Sequence, residues 1–510
     1  MRNNMGSTIG KVFLVGAGPG DKGLITIKAL EKLKDADVVV FDRLINEELL
    51  SFCRKECEMI FVGKESGFHL IDQESISNIL IQKSLEGKKV VRLKGGNPFV
   101  FGRGSEEAMA LKKEGIPFEV VPGVTSGVAA PMYSGIPVTH RGLITQCIFI
   151  TAHECPTKPG TQVEWNKLAK LKNTSLVIYM GASRIEKLTE KLIENGMDPE
   201  TPAAAIENGT LPNQRTLTAK LVNIASEFRR KKFHAPVIII ISPTVKFRND
   251  ISWYEKKPLY NKRVVIAGSN EYSSDLNHLL YEAAAEIVHL PIVKTAVKNP
   301  DIDFRKLFSE SNFEWILFTS KSGVEYFFEI LNNEELDARI FGGKKIATIG
   351  GNTTKALKNF SLIPDYESNE FNTVSFKKDV IEKFGIENKQ LLRLKDDYPY
   401  DRVYEVLNDA GALVKSIEVF ITYPNEPKEE LIDQIKNNYT DTLIFTSPQS
   451  IDNFFSVLGS ETSAKILNNC GAIFVDPITP EALINNNSNG MKFSTNLSCS
   501  SISDIVNNLT

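Results

Sequence analysis

Short apolar runs alternate with helix-length amphipathic stretches along the whole chain. KVFLVG, ADVVVF, KVVRLK, CIFIT and SLVIYMG read as buried strands. Leu24 to Lys34, Gln73 to Glu86 and Ser105 to Glu114 carry the 3.6-residue periodicity of helices. Strands alternating with helices predict parallel sheets covered by helices, an α/β protein. The pattern stops after PVIIIIS. There the chain reads PTVKFRNDISWYEKKPLYNK, with two prolines, mixed charge and no sustained period, which is the composition of a linker or strap. It restarts at RVVIAG. The expected organisation is one domain over 8–246, a linker over 247–259 and a second domain over 260–510.

The second half repeats a theme. WILFTSKSGVEYFF and TLIFTSPQSIDNFF are each a strand, a Thr-Ser turn and a helix start, 127 positions apart from Thr319 to Thr446. KIATIGGNTTKAL and AIFVDPITPEAL follow at similar spacing. A whole α/β unit is duplicated, which predicts two similar lobes, the second inserted in or following the first. The Asn-rich run from Asn485 to Gly490 reads as a loop.

With 510 residues the chain exceeds the size at which one core keeps growing, so several domains are expected. A net charge of −3 supplies no overall basic field for nucleic acid, so an anionic ligand must meet a local cluster of Lys and Arg. No apolar run reaches the roughly 18 to 20 residues needed to span a bilayer. The N-terminus lacks a signal-peptide core, and a cytoplasmic protein is expected. Six cysteines are irregularly spaced; Cys53 and Cys57 have no second pair to complete a zinc site, so no metal is expected.

The candidate chemistry begins at GAGPGD, Gly16 to Asp21, between a strand and a helix. Glycines there let backbone approach a ligand closely. A dinucleotide fingerprint would need Gly or Ala at Asp21, and Pro19 lacks an N–H that a phosphate would use. LKGGNPFVFGRGSEEA, Leu93 to Ala108, crowds four glycines around Phe99 and Phe101, a loop suited to a flat uncharged ring. VVPGVTSGVAAPMYSGIPVTHRG, Val120 to Gly142, is rich in small residues. Each of these also has a reading without a ligand, as tight turns and close helix packing.

In this order and spacing, and with VVVFDRLI, FVGKESGFH, TAHE, LVIYMGAS, TPAAAIENGT and NQRTLTAKL, the first half resembles uroporphyrinogen-III C-methyltransferase. The resemblance implies two α/β subdomains with S-adenosylmethionine in the cleft between them. It implies methylation of two carbons of a cyclic tetrapyrrole, giving precorrin-2. The cofactor contacts it carries over are Pro19, Gly95, Gly96, Asn97, Val100, Thr125, Ser126, Met180 and Gly209. It implies Asp42 as the base and Lys64 as its proton-donor partner. The substrate is a small molecule bearing carboxylates, which Arg pairs bidentately; Arg103 and Arg141 are expected to face it. Arg92 and Lys94, on a strand, are expected in salt bridges with neighbours. The family is often dimeric, which implies a homodimer through this half. Asn97 stands where the family usually has Asp, and the change is expected to weaken attraction to the cationic methionine end of the cofactor.

The second half is similar to uroporphyrinogen-III synthase in ILFTSKSGVEYFF, IATIGGNTTKAL, LNDAGALVKSIEVFIT and LIFTSPQSIDNFF. That resemblance implies two α/β lobes joined by a narrow β connection, no cofactor, and closure of hydroxymethylbilane to uroporphyrinogen III. Hydroxyls at turns before helix N-termini suit the substrate's carboxylates: Thr319, Ser320, Thr353, Thr354, Thr446 and Ser447. They suit helix capping equally well. The chain departs from that family at Ala267-Gly268, usually Thr-Arg, and at Phe420, usually Tyr, with Tyr423 nearby. A second reading therefore stands, in which this half is a non-catalytic tetrapyrrole-binding or regulatory module.

Overall fold

The computed structural model describes residues 9–63, 72–153, 162–269, 274–368, 385–397, 402–474 and 496–498. The chain divides into two compact units, Met1–Tyr260 and Asn261–Thr510.

The first unit contains two sheets. One is built from β1 (Val12–Gly16), β2 (Val38–Phe41), β3 (Glu58–Phe61), β4 (Val90–Lys94) and β5 (Phe118–Val121), in the order β3-β2-β4-β1-β5. All its pairs are parallel. Continuous apolar strands such as VVVF are buried on both faces, as parallel sheets require. Val12, Leu14, Val38, Val40 and Val90 pack with Ile76, Leu80, Ala108 and Leu111 of helices Gln73–Leu85 and Gly104–Lys113. On the other face Val15, Val39, Val91 and Leu93 pack with Ala29 and Leu33 of helix Ile27–Lys34. The chain leaves β1 toward β2 across one face and leaves β4 toward β5 across the other. The carboxyl ends of β1 and β4 therefore form a topological switch point, where ligands bind in open α/β sheets.

The other sheet is mixed: β6 (Gln146–Thr151), β7 (Thr174–Tyr179), β8 (Pro202–Glu207), β9 (Arg215–Lys220) and β10 (Val237–Ile241), in the order β6-β7-β10-β8-β9. Only β6 and β7 are parallel. The all-aliphatic β10, VIIII, is central and fully buried. One face carries helices Ile185–Glu194 and Leu221–Arg230. The opposite face, through Val177, Tyr179, Ala204 and Ile206, packs on Ala130 of helix Ser126–Tyr133, which follows β5. That helix ties the two sheets together.

Residues 247–259, expected as a linker, fold as a strap on this unit. Arg248 donates to the Ser134 carbonyl at 2.7 Å and pairs with Glu255 at 2.5 Å. The Trp253 indole donates to the Met132 carbonyl at 3.2 Å, and Tyr254 is buried with its ring 4.8 Å from Tyr133. Aperiodic composition hid these anchors, because each one contacts a distant residue.

Among its described residues the second unit has one ten-stranded sheet. Its strands are β11 (Arg263–Ser269), β12 (Glu286–Val297), β13 (Trp315–Phe318), β14 (Lys345–Ile349), β15 (Tyr366–Ser368), β16 (Gln390–Asp396), β17 (Leu413–Pro424), β18 (Thr442–Phe445), β19 (Gly471–Phe474) and β20 (Asn496–Ser498). The order is β15-β14-β13-β16-β17-β12-β11-β18-β19-β20. Among the described strands only the central pair is antiparallel, through Val293–Val297 against Phe420–Pro424. Outward from that pair, β12, β11, β18, β19 and β20 mirror β17, β16, β13, β14 and β15. The repeated strands β13 and β18 thus occupy equivalent places, and the second lobe is inserted in the first between β12 and β18. Each lobe has its own aromatic core, around Phe318 and Phe327 in one and Phe445 and Phe454 in the other. The Asn-rich run 485–490 lies outside the described residues.

Candidate active sites

Four glycines explain how the first site is shaped. A Cβ on Gly16 would lie 2.5 Å from the Gly123 amide nitrogen, and one on Gly123 would lie 2.3 Å from the Gly96 oxygen. The ends of β1, β4 and β5 therefore touch backbone to backbone. Gly18 and Gly96 bridge them further, with the Gly96 N–H donating to the Gly18 carbonyl at 2.7 Å and the return bond at 3.3 Å. These amides are spent on one another, which removes the phosphate-cradling role a Gly-rich turn suggests. Gly96 itself is in the left-handed region (φ 64°), and a Cβ there would stand in ordinary contact with the Ser126 amide nitrogen, 3.7 Å away.

This one sheet edge gathers Pro19 after β1, Asp42 after β2, Gly95, Gly96, Asn97 and Val100 after β4, and Thr125 and Ser126 after β5. Met180 and Gly209 come from the other sheet, after β7 and β8. Tyr179 joins the two groups. Its hydroxyl lies 2.7 Å from Thr125 Oγ1 and accepts the Gly127 N–H at 2.8 Å. A Cβ on Gly127 would sit 2.2 Å from that hydroxyl. Burial pushes the Tyr179 phenol above its ordinary value. Gly209 packs against Ala130, 2.3 Å from where its Cβ would be, so helix packing accounts for its lack of a side chain. Lys64 lies outside the described residues.

Beneath the edge runs a buried ionic network. Arg92 pairs with Asp42 at 3.1 Å and with Glu107 at 3.3 Å; Lys94 pairs with Glu107 at 2.9 Å. Gln73 donates to the same Glu107 oxygen at 2.9 Å. The Asp42 carboxylate also accepts the Leu44 N–H at 3.1 Å, so both its oxygens are held. Burial, then the adjacent Arg92 charge, push Lys94 below the usual lysine value, against the pull of Glu107. Arg92 and Lys94 are thus ion-paired within the protein.

Asn97 does something its charge-neutral side chain alone permits. Its Oδ1 accepts the Phe99 N–H at 2.9 Å while its Nδ2 donates to the Gly123 carbonyl at 3.1 Å. An aspartate could make only the first bond. Arg103 is exposed and forms a two-pronged pair with Glu106, at 2.9 and 2.7 Å. Arg141 lies exposed on the turn from His140 to Leu143, ahead of β6.

In the second unit, Thr319 and Ser320 follow β13, and Thr446 and Ser447 follow β18. Because β12 and β17 pair through their carboxyl-terminal halves, both of these strand ends are turned toward the junction of the lobes. Ser320 caps helix Lys321–Asn333, accepting the Gly323 N–H at 3.0 Å. Ser447 caps helix Pro448–Leu458 in a reciprocal pair with Ser450. Thr353 departs from expectation: it is 3 % exposed and its hydroxyl donates to the Ile349 carbonyl at 2.7 Å, so helical winding turns it inward. Thr354 is likewise buried, against Thr348. Gly268 is explained by packing, since the Thr446 hydroxyl stands 1.9 Å from where its Cβ would be. Phe420 is buried and stacks on Tyr326 at 5.6 Å. A cleft of about 250 Å³ at the junction is lined by Asp397, Thr422, Tyr423, Pro424, Gln449, Asp452 and Asn453.

Tyr179 and Glu107 were not singled out from sequence. Both are single residues inside segments otherwise read as a strand and a helix, and their partners lie on other elements, 13 to 54 positions away.

Residues 11–225 match the family described as Tetrapyrrole (Corrin/Porphyrin) Methylases, and residues 274–493 match Uroporphyrinogen-III synthase HemD. The chain is 39 % identical over 454 residues to the Porphyrin biosynthesis protein HemD of Ruminiclostridium josui, covering 88 % of each. It is 39 % identical over 362 residues to a Uroporphyrinogen-III C-methyltransferase of Bacillus subtilis, covering 70 % of this chain and 74 % of that one. A Uroporphyrinogen-III C-methyltransferase of Methanocaldococcus jannaschii is 48 % identical over 237 residues, 46 % of this chain and 97 % of its own length. The chain belongs to the family of proteins that fuse a uroporphyrinogen-III C-methyltransferase of the tetrapyrrole methylase type to a uroporphyrinogen-III synthase of the HemD type.

Proposed function

We infer that this chain catalyses two consecutive steps of tetrapyrrole synthesis. Its second unit closes hydroxymethylbilane to uroporphyrinogen III. Its first transfers two methyl groups from S-adenosylmethionine to that product, giving precorrin-2. The observation that carries this reading is the tandem match of both families along one chain, with a relative sharing the fusion over 88 % of its length. Tethering keeps a labile intermediate at high local concentration.

S-adenosylmethionine supplies a methyl group that is already electrophilic. The residues fit it: Gly96 puts no side chain over the Ser126 N–H, where a Cβ would stand 3.7 Å away, and Val100, Thr125, Ser126 and Met180 flank the same edge with apolar and hydroxyl groups. Pro19, Gly95, Asn97 and Gly209 shape the cradle. The protein's task is alignment, which can supply roughly 7 to 11 kcal/mol of the barrier. Asp42 accepts the proton that leaves the macrocycle, its carboxylate aimed by Arg92 and the Leu44 N–H. Lys64 is its proton-donor partner. Arg103 exchanges Glu106 for a substrate carboxylate, and Arg141 takes another.

In the second unit, Thr319, Thr446 and the amide-rich helix starts capped by Ser320 and Ser447 meet the bilane's carboxylates. Thr353 supports its turn from within. Asp397 and Asp452, lining the junction cleft, favour the cation left when the bilane loses its hydroxyl. Among the described residues no helix is long and apolar enough to cross a membrane; the cytoplasmic location remains part of this proposal. A homodimer through the first unit follows the resemblance; sedimentation of the full-length protein tests it.

The test is anaerobic incubation of the whole protein with fresh hydroxymethylbilane and S-adenosylmethionine, with products identified by mass and isomer. A dimethylated type III product is expected. Type I products alone, with added uroporphyrinogen III still methylated, would leave the second unit a binding module. No methylation of either would overturn the first assignment.

A further inference from the structure

The loop from Asn97 to Gly104 is wound tightly on itself. The Gly104 N–H donates to the Pro98 carbonyl at 3.0 Å. A Cβ on Gly102 or Gly104 would come within 2.8 or 2.6 Å of that same oxygen. Closing this coil forces two residues with large side chains, Phe101 (φ 53°) and Arg103 (φ 59°), into the left-handed region. Such backbone persists only where its surroundings enforce it, and it concentrates at functional sites. Burial does not compensate Phe101, which is 39 % exposed.

The ring of Phe101 lies 5.1 Å from that of Tyr179, and Phe149 meets Tyr179 from 6.1 Å. Phe149 is 37 % exposed, and Met180, also in the left-handed region, 47 %. Tyr179 is the fixed member, 8 % exposed and tied by its hydroxyl to Thr125 and Gly127. The result is an exposed apolar wall on a rigid mount, continuous with the edge that carries Gly96 and Thr125. Arg103, two residues from Phe101 on the same coil, adds a cation beside it.

We propose that Phe101 and Phe149, mounted on Tyr179, form the platform on which the pyrrole rings of the macrocycle rest during methyl transfer. This rests on the methyltransferase reading above. The substrate has two kinds of surface, electron-rich pyrrole faces and a rim of carboxylates. The coil offers one partner for each, an aromatic ring at 101 and a guanidinium at 103. Aromatic rings meet such faces in offset or edge-on geometry, so the platform sets which face of a pyrrole is turned to the methyl donor.

The test uses the full-length protein and three variants: Phe101→Ala, Phe149→Ala and Phe101→Gly. The KM for uroporphyrinogen III rises about tenfold in each, a loss typical of one aromatic stack. The affinity for S-adenosylhomocysteine, measured by calorimetry, stays within about twofold. Phe101→Gly also relieves the left-handed strain, so it melts no lower than wild type while binding substrate worse. A role in folding alone predicts the reverse. Unchanged KM overturns the proposal, as does a parallel loss of S-adenosylhomocysteine affinity. A shift in oligomeric state at constant KM also overturns it, by showing that a second copy covers the wall. If wild type fails to methylate uroporphyrinogen III, the functional reading falls and the platform with it; normal wild type with unaffected variants overturns the platform alone.

Discussion

Asp42 and Asn97 show how single side chains carry the first site. Asp42 ends β2 with both oxygens held, one by a backbone N–H and one by Arg92. In the role of base proposed for it, Asp42 should lose about 10² to 10⁴-fold in methyl transfer when changed to Asn. Affinity for S-adenosylhomocysteine should survive, and a parallel fall in affinity would instead assign Asp42 to binding. Asn97 holds two segments together, so its amide is the better residue here whatever it costs in attraction to a cationic ligand. Asn97→Asp places a carboxylate against the Gly123 carbonyl and leaves that acceptor unpaired. It should cost about 1–3 kcal/mol of stability, read as a lower melting temperature of the first unit. Neither partner, Arg92 for Asp42 nor Gly123 for Asn97, is adjacent in sequence.

At the scale of elements, charge placement on the first sheet makes a pH prediction. Glu119 on β5 lies between Lys11 and Lys28, at 2.7 and 2.5 Å. These two ammonium groups, hydrogen-bonded to it, hold its carboxyl well below the usual 4.5, at about 2. A depressed carboxylate contributes stability that is present above its unfolded value and lost as pH falls toward its folded one. Melting temperature should therefore fall between about pH 4.5 and pH 2 through this group, and Glu119→Gln should flatten that portion of the curve. High salt should shrink the difference, since the trio is partly exposed. The glycine contact among β1, β4 and β5 makes a sharper demand. Gly123→Ala drives a methyl group into the Gly96 carbonyl, and soluble protein should retain little affinity for S-adenosylhomocysteine. Retained affinity would show that the strand ends can part without opening the site.

At the scale of the whole molecule, separate cores in Met1–Tyr260 and Asn261–Thr510 predict two unfolding transitions in calorimetry. S-adenosylhomocysteine should raise only one of them, by about 2.7 kcal/mol at a hundredfold excess over its dissociation constant. A single cooperative transition that moves as a whole would mean the units unfold together.

Much of this architecture was legible in the chain itself. Strand and helix periods marked the α/β class, because burial on both faces of a parallel strand favours continuous apolar runs, with charges such as Arg92 and Lys94 admitted only where they are ion-paired. The doubled LFTS and IFTS turns announced two lobes, because a duplicated sequence repeats the same local choices. Glycine-rich segments marked the ends of β1 and β4, which the fold brings together at one edge. Tertiary structure alone decided what these features are for. It made Gly16 and Gly123 contacts between strand ends, turned Thr353 inward, and folded residues 247–259 onto the first unit. It brought Phe101 to Tyr179 and Arg92 to both Asp42 and Glu107. Local sequence sets which backbone a residue prefers. What its side chain meets depends on segments tens of residues away, and only the folded chain brings those within reach.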